Sequence, residues 1–336
     1  MKILVRLPNW LGDAVMAVGF LNKLRVAWPE ARVEVILRRE LEDAVRLLPQ
    51  VDAAHSFGRD EAASLAGARR FAKRVASGGG FDRFYCLPRS FSSAWMGFFT
   101  NSRERIGYRG QWRSWALTRA YARTTGAHRA VAYAHLLHER LPDAALGIEV
   151  GIAADPACAP SGLPDGHGPM IGLNIHSEAA SRRLSPERGA TIADALVDAF
   201  DCTVVLVGTA AQAERSAALL AAMRRRERCA DISGRTSLPQ LASLMARLQA
   251  FVSVDSGPAH LANAVGTPTV ALFGAGDDRV TAPWNAATLR VVRADDASCR
   301  CCLSNECRLG TPACIEDIEP ARVVAAVGEL VAPVPG

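Results

Sequence analysis

Short apolar runs alternate with stretches of helical period along this chain, and the alternation halts at a proline- and glycine-rich break before starting again. In the first half, Ile3–Val5, Val33–Leu37 and Phe84–Leu87 read as buried strands. Ala14–Trp28, Leu41–Leu48, Glu61–Val75 and Tyr133–Leu141 read as helices. Strands that are apolar throughout need cover on both faces, which a parallel sheet between two helix layers provides. Residues 153–169 carry four prolines and three glycines, a density that forbids helix and weakens any strand ladder. After this break come strands at Met170–Leu173, Thr203–Val207, Phe251–Val254, Thr269–Phe273 and Leu289–Val292. Helices are expected at Pro186–Phe200, Gln212–Arg226, Leu238–Arg247, Pro258–Ala264 and Ala321–Leu330. The length of 336 residues exceeds what one core usually supports. The expectation is an α/β chain of two doubly wound domains, residues 1–155 and 170–336, joined by a linker at 156–169 and facing across a cleft.

Composition removes several classes of function. No segment approaches the roughly 18 uncharged apolar residues of a membrane span, and Asn9 and Asp13 interrupt the N-terminal apolar run. A cytoplasmic protein is therefore expected. The net charge of +5 is concentrated locally: between Arg89 and Arg129 lie eight arginines opposed only by Glu104, interleaved with Trp95, Tyr108, Trp112 and Trp115. This stretch suits an anionic partner that also offers apolar or ring surface. A solvated helix face is the plainer reading. No recognised DNA or RNA motif accompanies the arginines, so a nucleic-acid partner is not expected.

Motif absences narrow the chemistry. No G-x-G-x-x-G follows either opening strand, and the chain's lysines, Lys2, Lys23 and Lys73, complete no phosphate loop. Neither H-E-x-x-H nor G-x-S-x-G occurs. Two strand-to-helix transitions remain. The first carries Gly12-Asp13 beyond the carboxyl end of the opening strand, the edge where open α/β sheets bind ligands. The second is Asp255-Ser256-Gly257-Pro258, where a helix start offers N–H donors suited to phosphate, with His260 about one turn inside. Capping of that helix by Asp255 or Ser256 is the competing reading. Arg182 could reach a pyrophosphate from a neighbouring loop, Gly208 marks a tight turn, and Gln212 and Glu214 open the next helix.

Five segments taken together resemble the lipopolysaccharide heptosyltransferases of glycosyltransferase family 9, and most of all their heptosyltransferase II branch. They are residues 7–16 (LPNWLGDAVM), 87–94 (LPRSFSSA), 105–109 (RIGYR), 182–188 (RRLSPER) and 253–262 (SVDSGPAHLA), in the same order over nearly the full length. The resemblance implies a GT-B fold, with an acceptor-binding N-terminal domain and an ADP-sugar-binding C-terminal one. It implies inverting, metal-independent transfer of L-glycero-D-manno-heptose from ADP-heptose to a lipid-linked inner-core oligosaccharide of lipopolysaccharide. No cofactor is required, and peripheral contact with the cytoplasmic face of the inner membrane is expected. Asp13 matches the family's general base. Arg182, Asp255, Ser256, Gly257 and His260 match donor-binding positions, to which Gly208, Gln212 and Glu214 are added. Arg89, Arg105, Arg109 and Arg113 are the acceptor-binding candidates. A GT-B relative with another donor or acceptor, or a nucleotide-sugar-binding protein without turnover, is the alternative.

Three departures bear on the donor. His176 stands where the family commonly has glycine, Ala275 follows Gly274 where a proline and a hydroxyl residue are usual, and Arg182 replaces lysine. Cys299, Cys302, Cys307 and Cys314 have spacings that could hold a structural metal; free thiols, or a disulfide disfavoured in the cytoplasm, are the other readings.

Overall fold

The computed structural model describes residues 1–122, 125–160, 168–294, 297, 299 and 301–331. Arg123, part of the basic stretch, and residues 161–167, part of the expected linker, lie outside the described residues. The chain forms two compact units, Met1–Val150 and Gly151–Gly336.

The first unit is built on six parallel strands: β1 (Lys2–Arg6), β2 (Arg32–Arg38), β3 (Ala53–Phe57), β4 (Phe81–Cys86), β5 (Ser102–Tyr108) and β6 (Arg119–Tyr121). Their spatial order is β3-β2-β1-β4-β5-β6. The chain leaves β1 for one side of the sheet and later returns to the other. The β1/β4 boundary is therefore the switch point, where open sheets of this kind bind ligands. Ile3, Leu4 and Val5 are fully buried between strands and helices, which is why β1 reads as an unbroken apolar run.

The second unit repeats the plan with β7 (Met170–Asn174), β8 (Thr203–Leu206), β9 (Cys229–Asp231), β10 (Ala250–Val254), β11 (Thr269–Leu272) and β12 (Leu289–Val292). The order β12-β11-β10-β7-β8-β9 puts its switch point between β7 and β10. Its main core joins Ile171, Leu173 and Val252 to Ile192, Leu196 and Val323 from the flanking helices.

Several elements differ from the sequence reading. Strands β3, β5, β6 and β9 carry no strand signal in the sequence. Their side chains are only partly buried over much of their length, so no continuous apolar run marks them. The Arg89–Arg129 stretch is consequently no single helix face; it contains the helix Phe91–Phe98 and two strands. The expected helix Ala14–Trp28 begins earlier and is interrupted at Ala17, giving Leu11–Met16 and Val18–Ala27. Likewise Glu61–Val75 divides into Arg59–Ala62 and Leu65–Ala76, because Ser64 takes an extended conformation and caps the second helix through Gly67 N–H.

Candidate active site

At the first switch point, β1 passes through Leu7–Trp10 into the helix Leu11–Met16. Asp13 therefore lies in the first helical turn, where the helix dipole favours a carboxylate. Its Oδ1 accepts a hydrogen bond from Arg129 Nη1 at 2.6 Å, and its side chain stays 15% exposed. Arg129 opens the helix Arg129–Ala134, whose Tyr133 is buried in the same neighbourhood. Burial pushes the Tyr133 phenol well above its ordinary range; the Asp13 charge adds to this, while Arg129 and Arg89 oppose it. Asp13, Arg129 and Arg89 thus all lie within electrostatic reach of Tyr133. A carboxylate held by a charge-assisted bond and partly open to solvent can receive a proton from a bound hydroxyl.

The four expected acceptor arginines have different fates. Arg89 is exposed on the loop after β4. Arg113 is fully buried, with Nε on the Tyr108 carbonyl at 2.9 Å and Nη1 on the Pro88 carbonyl at 2.5 Å. It ties two loops together and presents no guanidinium to a ligand, which corrects its expected role. Arg105 is similarly engaged, donating to the carbonyls of Ala116 and Ser102, each at 2.8 Å. Arg109 donates to the Ala120 carbonyl but stays exposed.

At the second switch point, Asn174 closes β7 and its amide reaches Ser253 Oγ at 3.0 Å and Ser256 Oγ at 2.8 Å. Ser256 precedes the helix Gly257–Ala264 but makes no side-chain cap bond to it. The capping reading fails for Ser256, since its hydroxyl is drawn towards Asn174 and Ser253 instead. Ser256 thus leaves the helix start uncapped by its own hydroxyl, and Gly257 allows close backbone approach. Asp255 is 5% exposed, with Oδ2 lying 3.0 Å from Arg182 Nη1. Arg182 Nε is buried without a hydrogen-bond partner. A Cβ at Gly276 would lie 2.1 Å from Asp255 Oδ2, so this position must lack a side chain for the ion pair to form. The Arg182 turn is itself pinned: Ser181 donates through N–H to the Asn305 carbonyl at 3.0 Å and through Oγ to the Ser304 carbonyl at 2.5 Å.

The remaining donor candidates are structural neighbours or exposed groups. Gln212 returns its side chain to the Thr209 N–H at 2.9 Å, forming a capping box, and Glu214 is exposed. His260 is buried in the helix after Ser256. Gly208 lies against the His176 ring, which a Cβ would approach to 3.0 Å. His176, which replaces a family glycine near the donor, turns inward: it is 3% exposed and its Nε2 pairs with Ser216 Oγ at 2.9 Å. Burial, helped by the Arg215 charge, holds its pKa down to about 4.

The cysteine expectation needs correction. Among the described residues, no group of three or more His, Cys, Asp or Glu side chains is placed to hold a metal ion. Cys299, Cys302, Cys307 and Cys314 are free thiols. Cys314 is buried beneath Gly274, and burial, with the neighbouring Cys299, Cys302 and Cys307, raises its pKa to about 11. The loop is fastened by backbone bonds, Cys301 N–H to the Gly274 carbonyl and Leu303 N–H to the Ala275 carbonyl.

Two residues at these switch points escaped the sequence reading in the roles they hold. Arg129 meets Asp13 across 116 positions, and Asn174 meets Ser256 across 82. Neither separation leaves a local signal.

Two doubly wound parallel sheets in one chain, each with charged groups gathered at its switch point, match the GT-B architecture of solved heptosyltransferases. The chain belongs to glycosyltransferase family 9 (heptosyltransferase), whose sequence model matches residues 68–312. It is 29% identical to lipopolysaccharide heptosyltransferase 2 of Escherichia coli (strain K12), over 87% of this chain and 88% of that protein. The same protein of Salmonella typhimurium is also 29% identical over the same shares. The solved structure of the E. coli ADP-heptose lps heptosyltransferase II superposes with a TM-score of 0.82 at 27% identity, covering 98% of each chain. No helix among the described residues is long and apolar enough to cross a membrane.

Proposed function

We propose that this enzyme transfers L-glycero-D-manno-heptose from ADP-heptose to the inner core of lipopolysaccharide, with inversion and without a metal. The observation that carries the reading is the near full-length likeness to lipopolysaccharide heptosyltransferase 2, in a chain whose second switch point presents a helix start not capped by Ser256, with Arg182 paired to the adjoining Asp255. Inverting transfer is one in-line displacement: an acceptor oxygen attacks the anomeric carbon as the bond to the diphosphate breaks. Asp13 takes the proton of the acceptor hydroxyl, and Arg129 orients its carboxylate for that step. The charge gathering on departing ADP meets Arg182, held in place by Asp255, and the N–H groups at the start of the helix Gly257–Ala264. Residues 1–155 serve the acceptor in this reading, 156–169 form the linker, and 170–336 serve the donor. Arg89 and Arg109 are the exposed acceptor candidates.

Peripheral contact with the cytoplasmic face of the inner membrane completes the proposal. It is supported by a surface of the first unit where exposed Leu65, Phe98 and Trp115 lie around Trp95 beside Arg69, Arg70 and Lys73. Amphipathic rings beside cations suit an anionic bilayer surface.

Incubation with ADP-heptose and truncated core acceptor should release ADP. Asp13→Asn should lower kcat by ~10²–10⁴ while leaving the donor KM within a few-fold. Unchanged turnover in that variant would remove Asp13 from the role of base.

A further inference from the structure

Over the carboxyl ends of β1, β2 and β3 lies a cavity of about 410 Å³, within the ~300–1,000 Å³ typical of small-ligand sites. Arg6, Arg38 and Phe57 end those three strands, and the helix Phe91–Phe98 contributes Ser92 and Ser93. Arg6 is the unusual member. It is 2% exposed, stacked with its guanidinium carbon 4.6 Å from the Phe57 ring centre, and Nη1 and Nη2 donate to the Leu7 carbonyl and Asn9 Oδ1. Its Nε is buried without a partner. Among the described residues it forms no ion pair, and the neighbouring groups that act on its charge are Cys86, whose thiol burial keeps protonated, and Arg38, which repels it. Burial holds its pKa down to about 10, so it remains charged at neutral pH.

A buried cation without a carboxylate is costly unless an anion arrives to complete it. The other charges around the cavity sharpen the argument. Glu40 pairs with Arg38 at 2.8 Å and approaches Arg59 at 3.7 Å, so one carboxylate serves two arginines and none serves Arg6. We propose that this cavity binds a phosphate group carried by the acceptor saccharide, with Arg6 as the central cation and Arg38, Arg59 and Ser92 around it. A phosphate, with several acceptor oxygens and up to two charges, matches three guanidinium groups and a hydroxyl better than a lone carboxylate does. The site is set to hold the acceptor near Asp13, because Arg6 grips Asn9, four residues before it. This inference rests on the acceptor reading above.

The test uses the full chain with two acceptors, the phosphorylated truncated core and the same material stripped by a phosphatase. Arg6→Met should raise the KM for the phosphorylated acceptor ~10–100-fold, the worth of a charge-assisted hydrogen bond. On the stripped acceptor the penalty should shrink to within about 3-fold. An equal penalty on both acceptors, or none on the phosphorylated one, overturns the proposal. Inorganic phosphate provides an arm independent of turnover: it should raise the melting temperature of the wild type and not that of Arg6→Met. If phosphate stabilises through Arg6 but no ADP-heptose is consumed, the anion site stands and the heptosyltransferase reading falls. If free phosphate stabilises and stripping the acceptor changes nothing, the site serves a free anion and its assignment to the acceptor fails. An Arg6→Met protein that melts well below the wild type, with both acceptors equally impaired, would mark Arg6 as structural only.

Discussion

Single residues carry the sharpest consequences. Gly276 is required because the Asp255 carboxylate fills the space where its side chain would be. Gly276→Ala should push Asp255 off Arg182 and weaken ADP binding by ~10–100-fold, measured by calorimetry, with little change at the acceptor. His176 makes a different prediction. Its folded pKa of about 4 lies below the ordinary value of 6.5. Protonation therefore favours the unfolded chain, and the stability from keeping the ring neutral is complete above pH 6.5 and lost as pH falls towards 4. The loss should reach about 3 kcal/mol across that window, and His176→Gln should flatten the acid limb of a denaturation profile. The family resemblance puts His176 in place of a glycine near the donor, yet the fold turns it beneath Gly208. Side-chain direction at a strand end depends on what packs behind it, here Ser216, 40 positions away.

At the scale of elements, the helix Phe91–Phe98 shows what a strand pattern alone could not say. Gly97 presses directly on the Phe84 ring of β4, where a Cβ would sit 2.1 Å from the nearest ring atom. Gly97→Ala would gain up to about 1 kcal/mol of helix propensity but should lose ~1–3 kcal/mol to overpacking against a ring with no exposed edge. A lower melting temperature with unchanged KM values is the expected result. The central strands β1, β7 and β10 were legible because burial on both faces demands continuous apolar residues. Edge and partly exposed strands such as β6 and β9 were not, since solvent on one side lets arginine, aspartate and tyrosine into the ladder. Trp112 illustrates the remainder: Gly110, Gln111 and Trp112 all have positive φ, and this turn holds the indole 92% exposed. Two non-glycine residues in that conformation store strain, of the kind that accompanies functional surfaces.

For the whole molecule, charge and exposed rings decide how it meets its surroundings. A net charge of +5 together with Trp112, Trp115 and Phe98 should bring the chain to vesicles containing anionic lipid. Flotation should show binding that weakens as salt rises, and replacement of the three rings by serine should abolish it at physiological ionic strength. Retention of the triple variant on vesicles would place the contact elsewhere.

Class, family and strand-to-helix alternation were determined by the sequence alone, because hydrophobic periodicity and ordered motifs are local properties of a chain. So was the position of Asp13 after the first strand and of Asp255 after a later one. Only the tertiary structure decided which charges meet. Arg129 holds Asp13, Arg182 rests on Asp255, Arg113 is consumed within the core, and Arg6 has no carboxylate partner among the described residues. The physical reason is that an ion pair depends on distance and desolvation, which folding sets between residues that sequence keeps far apart.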